Sequence, residues 1–204
     1  MIIYRPVGLY ELRLIYESRL MAFPPRLPEQ PIFYPVLNIE YARQIAFNWN
    51  TKSEPYAGYV TEFEIDDKYV NQFERKIVGG KQHEELWIPA EKLDEFNRQI
   101  VGKIKVVDAK FGKDFQGFIP SDFGLKDKNA VSQFVILANT FEYSGMDFYL
   151  ETKVNHLAVF LNYPFWLKHD FSQDGVEESL KYKTLDAIKE IWSQSHSETP
   201  LMAS

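Results

Sequence analysis

Apolar positions along this chain switch between a period of two and a period near 3.6. Ile2-Ile3-Tyr4 reads as a short first strand, and Arg5-Pro6 ends it because proline disfavours helix at the residue before it. Leu9, Leu12, Ile15 and Tyr16 fall at helical spacing and predict an amphipathic helix over 9–18. Residues 19–31 hold Pro24, Pro25, Pro28 and Pro31, a density that no helix or central strand survives, so this is a stiff loop. Ile32-Phe33-Tyr34-Pro35-Val36 predicts a second strand, at an edge or irregular point because of Pro35. Asn38 is a natural N-cap for a helix to about Asn50, whose inward face is Ile39, Ala42, Ile45, Ala46 and Trp49.

Tyr59 to Ile65 alternates as a half-buried strand does, and Asp66-Asp67 caps a short helix through Val70 and Phe73. Gly79-Gly80 punctuates the chain before the polar cluster Gln82-His83-Glu84-Glu85, which runs straight into the apolar Leu86-Trp87-Ile88. A helix over 90–100 with Leu93, Phe96 and Ile100 inward stops at Gly102, and Ile104 to Ala109 is another strand. Beyond Lys110 the pattern loosens. Val131 to Ala138 is apolar and fits strand or helix. Phe148-Tyr149-Leu150 and Leu157 to Leu161 look like strands, Leu180 to Trp192 is a helix, and a disordered tail is expected from about Ser193. The elements predict an α+β protein with a first domain at 1–110 and an α/β extension or small domain at 111–204.

Composition narrows the function. The chain has 204 residues, 45% hydrophobic and 25% charged, enough to bury a core. It has no cysteine, so thiolate chemistry and cysteine metal sites are excluded, and cytoplasmic residence fits. Net charge is −6; the first 110 residues carry 15 basic and 16 acidic side chains and the remainder 8 and 13. Without a basic stripe, strong nonspecific nucleic-acid binding is not expected, and the acidic second part suits a protein contact. No apolar run is long enough to span a membrane. His156, His169 and Asp170 lack a diagnostic metal spacing, so no metal is expected.

The candidate chemistry lies at Glu85, a carboxylate at the mouth of a buried strand, where the strand fixes its position. The strings Tyr4-Arg5-Pro6-Val7-Gly8, Ala22 to Asn38, Trp49-Asn50-Thr51-Lys52 and His83 to Ala90 resemble a bacterial family of small proteins labelled "ADP-ribosylation/crystallin J1". The layout also resembles the ADP-ribosyltransferase fold, which implies a split, mixed or antiparallel sheet with flanking helices. In that fold an Arg or His beside a Tyr-like position marks the first strand, matched here by Tyr4-Arg5. An aromatic strand followed by a helix is matched by Phe33-Tyr34 and the Asn38 helix, and a Glu opening a late strand by Glu85. His83 stands two residues before Glu85, where that fold usually has Glu or Gln.

The resemblance implies an enzyme that uses NAD as substrate and passes ADP-ribose to a macromolecular acceptor, protein or nucleic acid, with a toxin-like role by analogy. Glu85 would stabilise the charge growing on the ribose, and His83 would orient the acceptor or act as its base. Tyr4, Arg5, Arg26, Phe33 and Tyr34 would hold NAD, the arginines at its phosphates and Tyr34 at the nicotinamide ring. Each residue also fits a structural role: a solvated acid, a surface ion pair, a core ring, a loop brace. The same layout therefore also admits a non-catalytic binding module, or an NAD glycohydrolase with no acceptor.

Overall fold

The computed structural model describes residues 1–80 and 82–203. The chain divides into two compact units, Met1–Lys113 and Asp114–Ser204. Among the described residues the protein is α+β, with eight α-helices and two three-stranded antiparallel sheets.

In the first unit β1 (Ile2–Val7), β3 (Ala57–Ile65) and β6 (Ile100–Phe111) form one sheet in the order β1-β3-β6. The second runs β2-β5-β4, with β2 at Ile32–Phe33, β4 at Glu74–Ile77 and β5 at Glu84–Pro89. Val36 bridges both, pairing with Tyr4 of β1 and Glu85 of β5. The Tyr4 and Val36 backbones exchange bonds of 2.9 and 2.8 Å, Leu37 N–H donates to Glu84 O (3.1 Å) and Leu86 N–H to Pro35 O (2.9 Å). This seam sets β1, which carries Arg5, and β5, which carries Glu85, on either side of Val36.

The central strand β3 is buried from Ala57 through Thr61, more deeply than alternation predicts, because it is covered on both faces. On one face Phe63 meets Phe23 (ring centroids 4.8 Å) and Phe96 (6.0 Å). On the other Val60 packs with Val36, Tyr41, Ala42 and Ala46. Two covered faces read as a continuous apolar run rather than a stripe.

α1 (Leu9–Glu17) buries Leu9, Leu12 and Ile15 as its spacing predicts. α2 (Ile39–Ile45) starts at Asn38, whose side chain accepts from the backbone N–H of Glu40 and Tyr41. It does not run on to Asn50 as a regular helix: residues Ala46–Asn50 form a π turn. The wider turn slips the helical phase, so Trp49, expected inward, is 59% exposed. A Cβ on Gly58 would sit 1.9 Å from Ala46 O, which is why glycine lies where this turn crosses β3. Asp66 caps α3 (Asp67–Val70), which ends short of Phe73, and β4 follows where sequence periodicity showed no strand. The helix expected over 90–100 is a 3₁₀ turn plus α4 (Leu93–Asn97), and β6 opens at Ile100.

The second unit is helical among its described residues, which corrects the expected α/β extension. Val131–Ala138 lies in α5 (Ala130–Tyr143), and both expected strands are helix, in α6 (Gly145–Val154) and α7 (His156–Lys168). Residues Ala158 to Trp166 are all buried, so α7 is covered on every side, and periodicity does not separate such a helix from a buried strand. α8 (Glu178–Ser195) extends the expected helix at both ends. The tail expected to be disordered is docked: Trp192 Nε1 donates to Thr199 O (2.6 Å) and Met202 is buried, while Ser204 lies outside the described residues. No helix among the described residues is long and apolar enough to cross a membrane.

Candidate functional site

A cavity of about 710 Å³ opens in the first unit beside the seam at Val36. Its lining includes Arg5, Glu11, Arg26, Tyr34, Glu85 and Trp87, brought from β1, α1, the proline-rich loop, the end of β2 and β5.

Arg5 stands on the core face of β1 between Ile3 and Val7 and is 8% exposed. A guanidinium there needs partners for all its donors. Its Nε donates to Glu11 Oε1 (3.0 Å), its Nη2 to Glu11 Oε2 (3.4 Å) and its Nη1 to Tyr34 O (3.0 Å). Its carbon Cζ lies 4.7 Å over the Phe33 ring. Each of its three nitrogens thus has a protein partner, and one face of the guanidinium lies on a ring.

Arg26 is held more loosely. Its Nη1 lies 3.9 Å from Glu11 Oε1 and its Nη2 donates to Gln30 Oε1, but its Nε is buried with no protein partner. Burial first, and the positive charge of Arg5 second, hold its guanidinium below the ordinary arginine value. Two cations therefore share one carboxylate at this wall.

Glu85 has a donor on each oxygen. Tyr41 Oη donates to Oε1 (2.8 Å) and Trp87 Nε1 to Oε2 (3.0 Å). Trp87 shares a face of β5 with Glu85 by the two-residue period, and Tyr41 reaches it from α2. Burial, then the bond and the charge of Glu85, push the Tyr41 phenol up to about 12. Trp87 meets the Tyr34 ring edge-on (5.2 Å, 77°), and Lys76 Nζ lies 3.6 Å over its face.

Arg5, Arg26, Tyr34 and Glu85 thus share one cavity, whereas three other candidates stand apart from its lining. His83 stacks on Tyr41 (4.2 Å, 14°), with Nε2 3.0 Å from Gln44 Oε1 and Nδ1 3.1 Å from Val78 O. It braces the ring that binds Glu85. Tyr4 points to the opposite face of β1, where it packs on the Val36 cluster and bonds Glu62. Phe33 is fully buried between Phe23 (4.9 Å) and Phe96 (5.5 Å).

Sequence reasoning named neither Glu11 nor Tyr41, took Trp49 as an inward helix residue and weighed Trp87 only as a core ring. Glu11 carried one signal, an acid in the first turn of a helix directly after a buried strand. Tyr41 lies off the expected inward face of its helix and is buried in the cluster with Val36, Ala42, Ala46 and Val60. In the second unit the three candidate metal residues do not converge. His169 pairs with Asp174 (3.1 Å), Asp170 accepts from Ser172 N–H (2.9 Å), and His156 packs against His196 (5.3 Å). Among the described residues no three His, Asp or Glu side chains gather as a metal requires.

Fold and site define an α+β protein with a cavity in which a doubly held carboxylate and two arginines share one lining. Comparison with protein-family models, with curated proteins and with solved structures finds no match for the chain.

Proposed function

We propose that the first unit is an ADP-ribosyltransferase-like domain that binds NAD and transfers ADP-ribose to a macromolecule. The observation that carries this reading is Glu85, a carboxylate fixed at both oxygens in the same cavity as Arg5 and Arg26. The two small antiparallel sheets meeting at Val36 suit the split sheet of that fold. In the reaction the bond between the nicotinamide nitrogen and ribose C1′ breaks, and its electron pair leaves with nicotinamide. The acceptor's lone pair closes on C1′, and the acceptor's proton goes to solvent. Positive charge builds on the ribose in between, and a preorganised carboxylate lowers the energy of that state. Arg26, which lines the cavity with its Nη1 3.9 Å from the nearest carboxylate, suits the diphosphate, and Tyr34 suits the nicotinamide ring. Arg5 orients Glu11 and the Tyr34 backbone around the same space.

The test uses labelled NAD, a cell lysate, and the Glu85→Gln variant beside the native protein. The expected result is nicotinamide release and a labelled product, with the rate lowered by about 10² to 10³ in the variant. Protease and nuclease treatment of the product says which polymer carries the label. Release without any label identifies a glycohydrolase. Binding of NAD without release supports a non-catalytic module, a reading favoured by the protein partner that each Arg5 nitrogen and each Glu85 oxygen already has. Neither binding nor release ends both readings.

A further inference from the structure

The last torsion of a glutamate is broad, so an unsupported carboxylate turns through many orientations. Glu85 is not unsupported. One donor, Trp87 Nε1, comes from its own strand and the other, Tyr41 Oη, from α2. Together they pin the plane of the carboxylate, each oxygen keeping further lone-pair capacity. Tyr41 is nearly buried and does not line the cavity. Its ring is fixed in turn by the stacked imidazole of His83, which Gln44 and the Val78 carbonyl orient.

We propose that Tyr41 is the positioning residue of Glu85: its hydroxyl, braced by His83, sets the direction in which the carboxylate faces the cavity, and it touches no substrate itself. This rests on the transferase reading for its kinetic consequence, but not for its geometry. It assigns His83 a role through Tyr41 rather than as a base for the acceptor. It also ties the site to α2, so the seat of that helix on β3 becomes part of the active arrangement.

The protein has four tryptophans, so its indole N–H resonances form a small set in a nitrogen–proton correlation spectrum. Trp87→Phe identifies the Trp87 peak by its loss, and Glu85→Gln shows where that peak moves when the carboxylate is gone. Tyr41→Phe keeps the ring and its stack on His83 and removes only the hydroxyl. The expected result is a shift of the Trp87 peak toward its position in Glu85→Gln. With it, kcat for nicotinamide release falls about a hundredfold while KM for NAD stays within about twofold. A Trp87 peak that does not move in Tyr41→Phe overturns the proposal, and so does an unchanged kcat in an active enzyme. If the native protein releases no nicotinamide, the transferase reading falls. The peak alone then decides the positioning role: movement supports it and no movement overturns it. Should Tyr41→Phe lose its dispersed amide spectrum, His83→Ala carries the same comparison, since it withdraws the brace and leaves the hydroxyl.

Discussion

Arg5 and Arg26 line one cavity and share one carboxylate, yet they differ in what the protein already asks of them. Arg5 satisfies Glu11, the Tyr34 carbonyl and the Phe33 face from a position inside the core row of β1. Removing Arg5 leaves half-buried Glu11 with only its longer contact to Arg26 and takes the donor from the Tyr34 carbonyl, at a cost of about 3 kcal/mol. Arg5→Ala is therefore expected to lower stability by that order in urea denaturation. Arg26 has a long ion pair to Glu11 and its bond to Gln30 stays within its own loop, so the fold depends on it less. Arg26→Ala should leave the urea midpoint nearly unchanged and weaken NAD binding about tenfold by calorimetry, the loss of one charge-assisted bond. The reverse ranking would make Arg5 the ligand contact and Arg26 the brace.

At the level of elements, the site hangs on how α2 and its π turn lie across β3. The backbone of Ala46 comes so close to Gly58 that no side chain fits between them. Gly58→Ala must push the turn outward, and overpacking of this kind costs about 3 kcal/mol. Chemical denaturation should show that loss. Because Tyr41 rides on the same helix, nicotinamide release should fall even in the folded fraction.

The two compact units offer different handles on the whole chain. In the second, His196 packs against His156 (5.3 Å) and Trp192 (4.5 Å), and its Nε2 is buried with no protein partner. Burial holds both histidines below their ordinary value of 6.5, and at His196 the charges of His156 and Lys153 act in the same direction. The unfolded chain then binds more protons than the folded one as pH falls, so stability rises with pH. The stabilisation is fully present above about 6.5 and drains away as pH drops through the lower folded midpoints. The denaturation midpoint should be lower at pH 5.5 than at pH 7.5, and His196→Gln should flatten that difference.

Local chemistry alone determined a good deal of this protein. The Asn38 and Asp66 caps, the amphipathic α1, the stiff proline-rich loop and the strand after Glu85 are short-range matters of periodicity and hydrogen-bonding side chains, legible without any partner. Of the seven residues expected at the site, Arg5, Arg26, Tyr34 and Glu85 share the cavity, while His83, Tyr4 and Phe33 stand apart from its lining. What only the tertiary structure decided lies wherever two surfaces compete for one segment. A helix covered on all sides has no polar face to betray its period, so α7 read as a strand. The π turn that lies against Gly58 puts Trp49 outside the core. His83 and Tyr41 lie 42 residues apart in sequence and stack only in the fold, where a residue of α2 meets the one just before β5, so the pair that orients Glu85 has no local signature at all.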